Sequence, residues 1–570
     1  MDRRALPLRQ GPIDERQYRS ALSQIIAVES TSYLAPSTAS ADSLNKEFKL
    51  HIGRFFYENG LDFDAASSTS FKSMISLFSR RGIQCQAPTV EELNGWIFRD
   101  VMREATSRVD EIKRSWAVTG CSILLDGWTY ANDRTFVNVL VDSPKGTVYL
   151  SSSDITDCVG NMEAMQTFLA RVLADVGLHN VVQIVTYSSS AFMMEAGRQL
   201  MERYRPIFWT VSASHCIELI LENLATMDVI HETLEKAKII SSFVHNHPVA
   251  LKYVQDQTNG SGLVDSSRMS IMRPFLMVEN IVIKKGALKK MFSASHSQSS
   301  NLMATVEGRK ASEVLADRSF WRGATTILNG AIPVVRLIEW MDNSGRVHMG
   351  YIYETIDQAK ETIKEGLKKK SEYMPFWDAI DDVWNKCLYG PLHSAGYYFN
   401  PNLFYTSDAY VDSEVVTGMS CFLVRSAADF RMQDQMVVQM ELYRTGRGGM
   451  AAGVPEERRS NLSPGELSLA HVIVVIYMSF FLLNWCFVVA HWWSRYAGEC
   501  PELQRRVIRL LSQTCDGAAR YQLRRSLAET LLTKGGNEDE QKWLRDMVFL
   551  RYNMHLQNFV IGSSVSDDAN

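Results

Sequence analysis

Between residues 120 and 215 the hydrophobic period of the chain changes, and that change restricts the fold more than any other feature. Cys121–Leu125 is an unbroken apolar run of strand length, Phe136–Val141 alternates, and Thr147–Ser151 reads as a third strand. The breaks between them, Asn132-Asp133 and Ser143-Pro-Lys-Gly146, suit hairpins. Met162–Val176 is then amphipathic at helical spacing, Val181–Thr186 is a buried strand, Phe192–Arg203 a helix and Ile207–Val211 a last strand. Asp126 ends the first apolar run, where a buried strand would present a carboxylate, whereas the Val181 strand runs out into Tyr187.

Three strands, a helix, a strand, a helix and a strand is the element order of the ribonuclease H-like fold, which builds α/β metal nucleases. Acids in that fold lie near the first and fourth strands, which are neighbours in the sheet. Those places here are Asp126 and Tyr187. The expected fold class is thus an α/β ribonuclease H-like core with a mixed sheet, accompanied by long helical regions.

Around that core the chain divides further. Residues 1–45 read as a loose polar tail, and residues 46–118 as helical. In the latter, Thr89 and Glu92 form a capping box ahead of Leu93, Trp96, Ile97 and Val101. Residues 119–222 hold the core and 223–440 an all-helical, aromatic-rich insertion. A Gly- and charge-rich linker spans 441–466, an apolar segment 467–490, and a helical region 491–560 that sets Leu503, Val507, Leu510 and Leu511 on one face. The net charge of −4 gives no global basic field, so any nucleic-acid contact has to be local. The nine cysteines (85, 121, 158, 216, 387, 421, 486, 500 and 515) show no CxxC, which argues for free thiols and against a zinc finger. No apolar stretch follows the first residues, so a secretory signal is not expected.

Several stretches resemble hAT-type transposases, in particular the plant group with a domain of unknown function over the nuclease core. They include Ile52-Gly-Arg-Phe-Phe-Tyr, Leu125-Asp-Gly-Trp-Thr129 and Asn138-Val-Leu-Val-Asp-Ser-Pro-Lys-Gly-Thr147. His215-Cys-Ile-Glu-Leu219, Met349-Gly-Tyr-Ile-Tyr353, Pro391-Leu-His-Ser-Ala-Gly-Tyr397 and Phe399-Asn-Pro401 continue the likeness. His491-Trp-Trp493, Pro501-Glu-Leu-Gln504, Leu511-Ser-Gln-Thr-Cys515 and Tyr552-Asn-Met-His-Leu556 resemble the family's C-terminal dimerisation segment. The likeness runs in collinear order through most of residues 50–556.

Such transposases imply three carboxylates that hold two divalent ions for an in-line displacement. The first acid corresponds to Asp126. The second falls at Tyr187, and the third, by its offset from Cys515, at Tyr521. A neutral phenol is a poor ligand for Mg²⁺. The expectation is a catalytically inactive core in which Asp126 is a remnant, with no cofactor and the ancestral Mg²⁺ or Mn²⁺ lost. The family's Cys-x-x-His reads Ser212-Ala-Ser-His215 here, so His215 is expected to order the core rather than bind metal.

The resemblance further implies partners: a second copy of the chain or related hAT proteins, held through Trp492, Trp493, Leu503, Val507, Leu510 and Leu511. Burial of the same residues in a monomer core is the competing reading. Arg505, Arg506, Arg509, Arg520, Arg524 and Arg525 are dense enough to neutralise phosphates, or equally to line a solvated helix face. DNA contact is expected to be weak and salt-sensitive, and residence nuclear. An active nuclease with a site rebuilt from Glu195 or Glu529 is the enzyme alternative. Val472–Ala490, about 19 residues, has the length to cross a bilayer core of about 30 Å, so a membrane-tethered protein is the third and minor one.

Overall fold

The computed structural model describes residues 41–79, 86–258, 263, 271–293, 305–343, 347–405, 411–447, 485–534 and 536–565. Residues 1–40 of the expected 1–45 tail, most of the 441–466 linker and residues 467–484 of the apolar segment lie outside the described residues; residues 41–45, expected in the tail, begin a helix instead.

The chain divides into two units, residues 1–103 and 104–570. In the first, helices Ala41–Asn59, Thr69–Ser79 and Val90–Asn94 and the start of Trp96–Thr119 enclose Phe56, Tyr57, Leu93 and Ile97. The capping box forms: the Thr89 side chain accepts from the Glu92 N–H and Glu92 accepts from the Thr89 N–H. Lys49 fixes the same Glu92 carboxylate at 2.7 Å.

The second unit is mostly helical around one five-stranded mixed sheet. Its strands are β1 (Cys121–Tyr130), β2 (Arg134–Ser143), β3 (Gly146–Asp154), β4 (Val181–Thr186) and β5 (Phe208–Val211). They lie in the order β3-β2-β1-β4-β5, with β2 antiparallel to both β3 and β1, β4 parallel to β1 and β5 parallel to β4. Both expected hairpins are present. The first turns through Asn132 and Asp133 in the left-handed region, a conformation that Asn and Asp tolerate through local hydrogen bonding.

Successive side chains of a strand point to opposite faces, so β1 contributes to two cores. Ile123 and Leu125 pack with Phe168 and Leu169 of helix Met162–Val176 and with Met193 and Leu200 of helix Ala191–Arg203. Leu124 and Trp128 face the other way, toward Tyr521, Ala528, Val548 and Tyr552. Asp126 shares the parity of that second face.

From Ala213 to Tyr496 the described residues contain helices and turns but no named strand; residue His348 makes one isolated bridge to Thr514. Helix Pro501–Leu511 then brings the chain back to the sheet. The Ala213 N–H donates to the Cys515 carbonyl, and Gln183 of β4 donates to the Thr514 carbonyl at 2.6 Å. Ser122 of β1 donates to Gln513 at 2.9 Å, while Gln183 joins Ser122 to Thr210 of β5. These groups are buried and satisfy one another, as a polar layer in a core must. Buried Asp516 accepts from Ser212, Ser214 and its own neighbour Gly517 at the start of helix Ala213–Ala225, where a negative charge suits the helix N-terminus. Helix Glu538–Val565 closes the edge at β3, with Asn553 exchanging bonds with the Tyr149 backbone.

Candidate functional site

Asp126 lies in the middle of β1, opposite Asn138 of β2 in the antiparallel register. The Asn138 amide donates to Asp126 Oδ2 at 3.1 Å, and Asn138 is itself held by Ser152 Oγ at 2.6 Å. The other oxygen, Oδ1, accepts from Arg525 Nη2 at 2.7 Å. The Asp126 side chain is only 8% exposed, so this carboxylate meets a guanidinium rather than water. Arg525 also lies over the Trp128 ring, 5.0 Å from its centroid, and the Trp128 indole N–H donates to Glu529 Oε1 at 3.0 Å. Arg525 stands at the N-cap position and Glu529 in the first turn of the short helix Ser526–Thr533, so a spacing of four puts both on the side facing β1.

Tyr187 follows β4 directly and packs against Gly127. A Cβ at Gly127 would sit 2.0 Å from the Tyr187 ring, so glycine is what allows this approach. Burial, and the negative charge of Asp126 nearby, push the Tyr187 phenol above its ordinary range. The place of the expected second acid thus holds a group kept more firmly neutral than a free tyrosine.

Tyr521 is buried elsewhere on the same face. Its hydroxyl lies 2.7 Å from Thr147 Oγ1 and donates to Asp142 Oδ1 at 3.4 Å. Asp142 is opposite Ser122 in the register, four residues along β2 from Asn138, or about 13 Å. The structure therefore brings Tyr187, Arg525 and Asn138 to Asp126 and leaves Tyr521 at the far end of the strand. Of the two alternative ligands, Glu529 is tied to Trp128, and Glu195 pairs with Arg198 on the surface, which holds its carboxyl down at about 2.

His215 is half-buried, 3.4 Å from Ser189 Oγ, and burial lowers its pKa. Among the described residues no three His, Cys, Asp or Glu side chains converge as metal ligands. Hard divalent ions need several anionic oxygens. A single carboxylate bearing a guanidinium, beside a phenol, does not fit a two-metal centre.

The six residues expected at a subunit interface are all buried inside the chain itself. Trp493 donates its indole N–H to the Phe399 carbonyl at 2.9 Å and lies 4.9 Å from the Tyr443 ring, with Trp492 against its edge. Leu503, Val507, Leu510 and Leu511 continue the same core. The arginine stripe is likewise broken up. Arg509 donates to the carbonyls of His179 and Asn180, Arg506 reaches the Met432 sulfur, Arg520 is buried and Arg525 is paired, which leaves Arg505 and Arg524 exposed. Among the described residues no helix is long and apolar enough to cross a membrane; Val472–Asn484 lies outside them.

Arg525 is the residue that sequence reasoning missed as a site member. The spacing of four to Glu529 and the position of Trp128 two residues past Asp126 were both visible. Nothing local links them across 399 residues.

Residues 88–240 match the family described as Domain of unknown function (DUF659). The matched stretch contains all five strands and stops before residues 513–556, which supply the second face of the sheet. No curated protein matches the chain.

Proposed function

We propose that this chain is a transposase-derived protein of the hAT type whose ribonuclease H-like core has lost its nuclease chemistry. It now serves as a folded platform for self-association, with weak, salt-sensitive contact to DNA. Three features support that origin: the strand order 3-2-1-4-5, the helical stretch that interrupts the core before residues 513–556 complete it, and the DUF659 match over residues 88–240.

The observation that carries the loss of chemistry is the company kept by Asp126: an amide, a guanidinium and a phenol, with no three metal-ligating side chains converging there among the described residues. Two-metal displacement needs acids that hold both ions between the attacking and leaving oxygens. On this reading self-association uses surface other than the six buried residues, and the protein resides in the nucleus. A membrane tether through Val472–Ala490 is the lesser reading.

The test is nicking of supercoiled plasmid by the purified full chain in Mn²⁺, with D126N in parallel. Equal background for both supports the proposal. Nicking that disappears in D126N overturns it.

A further inference from the structure

Helices Lys285–Ser293 and Arg318–Gly330 carry their charges in an order that costs stability. Each begins with a cation and holds no acid in its first turn, although the N-terminus is the positive end of a helix. Each repeats a cation four residues on, Lys289 after Lys285 and Arg322 after Arg318, a spacing at which like charges repel. Residues 284–293 and 318–330 contain no Asp or Glu. The acids that precede them are already paired: Glu279 with Arg336, and Asp317, the cap of the second helix, with Lys236. Trp321 joins the two pairs. Its indole N–H donates to the Leu315 carbonyl at 2.8 Å, and its ring centroid lies 4.0 Å from Lys285 Nζ and 5.9 Å from Lys289 Nζ. An aromatic face attracts an ammonium group but does not neutralise it. Arg318 stands three residues before Trp321 on the same side of the helix, with Arg322 one turn from it. Lys289, Arg318 and Arg322 are exposed and Lys285 is half-exposed. Among the described residues no carboxylate pairs with Lys285, Arg318 or Arg322.

We propose that Lys285, Lys289, Arg318 and Arg322, gathered at Trp321, form a surface that grips the phosphate backbone of duplex DNA without reading its sequence. It rests on the reading of this chain as one that keeps contact with DNA, and gives that contact a surface in the helical region after the sheet. A run of phosphates relieves the repulsion within both pairs at once. The lysines offer point charges and the arginines planar forks, all suited to phosphate oxygens, and such contacts hold a protein on the backbone without specifying bases. A rod of charge suits the patch better than a plane. The whole chain has a net charge of −4, so a broad anionic bilayer also faces the acids elsewhere on the surface. A duplex, with one charge per about 1.7 Å of its axis, meets the patch alone.

The experiment is fluorescence anisotropy of a short labelled duplex of arbitrary sequence, titrated with the full chain over a series of salt concentrations. K285Q/K289Q/R318Q/R322Q is expected to bind at least about tenfold more weakly than wild type at low salt. Its plot of log affinity against log salt should be shallower by about 3–4. R318Q/R322Q, which leaves both lysines on the Trp321 ring, should be shallower by about 2 and decides the matter if the quadruple variant does not fold. A variant with the wild-type slope and affinity overturns the proposal. So does wild-type protein that binds phosphatidylserine vesicles and not the duplex, which would assign the patch to a lipid surface. Wild-type protein with no affinity for the duplex overturns the proposed contact with DNA and this surface together. A wild type that binds, beside variants that bind equally, overturns this surface alone.

Discussion

His393 offers a stability prediction that can be worked from its surroundings. It sits in helix Pro391–Tyr398, packed against helix Ser413–Ser426, with both ring nitrogens buried and, among the described residues, without hydrogen-bond partners. Burial alone pulls its pKa from 6.5 down to about 4. The folded protein therefore accepts only the neutral imidazole, while the unfolded chain takes up a proton first as the pH falls. Stability from this position is whole above about pH 6.5, is lost progressively down to about pH 4, and is flat below that. The span between the two values corresponds to about 3 kcal/mol. Leucine at 393 keeps the apolar contacts and has nothing to titrate, so His393→Leu is expected to lose that part of the pH dependence. Urea unfolding followed by tryptophan fluorescence at several values between pH 7 and pH 4 measures it. Because carboxylates and His215 titrate equally in both proteins, the difference between variant and wild type isolates this residue. Two curves that stay parallel across the window would refute the reasoning.

Other contacts give sharp outcomes. Gly127→Val drives a side chain into the Tyr187 ring and is expected to cost about 1–3 kcal/mol, largely recovered when combined with Tyr187→Ala in a double-mutant cycle. Trp493→Ala is expected to cost about 3–5 kcal/mol, a loss relative to wild type that is the same at every protein concentration, because Trp493 packs inside its own chain. Arg505→Gln and Arg524→Gln should each lower the salt dependence of any DNA affinity by about one phosphate contact. Arg509→Gln, whose guanidinium is spent on backbone carbonyls, should lower stability and leave the salt slope unchanged.

Periodicity made much of the sheet legible. Met162–Val176 and Val181–Thr186 have the expected ends, while β2 extends two residues beyond the expected Phe136–Val141 on each side. Those added residues pair across the hairpins, and pairing is not written in hydrophobic alternation. Asp126 was conspicuous as a carboxylate after an unbroken apolar run, but the expected end of the strand at that point was wrong: β1 continues to Tyr130 through its pairing with β2 and sets Asp126 in mid-strand. Its partner was not conspicuous, since Arg525 has the local appearance of any arginine ahead of a short helix. Tyr521 was placed by offset from Cys515, and offset alone does not report that the chain at 518–521 packs toward Thr147 and Asp142. Trp492 and Trp493 illustrate a different limit. A paired aromatic suits a subunit interface and a monomer core equally well, and only the positions of Phe399 and Tyr443 decide between them for the single chain.

Divalent-ion binding by the wild-type protein tests the central claim most directly. In a Mn²⁺ titration followed by electron paramagnetic resonance, the account predicts that the signal of the free hydrated ion grows in step with added metal, with no site at Asp126. Uptake of about two ions per chain, as a two-metal nuclease requires, and its loss in D126N, would contradict it.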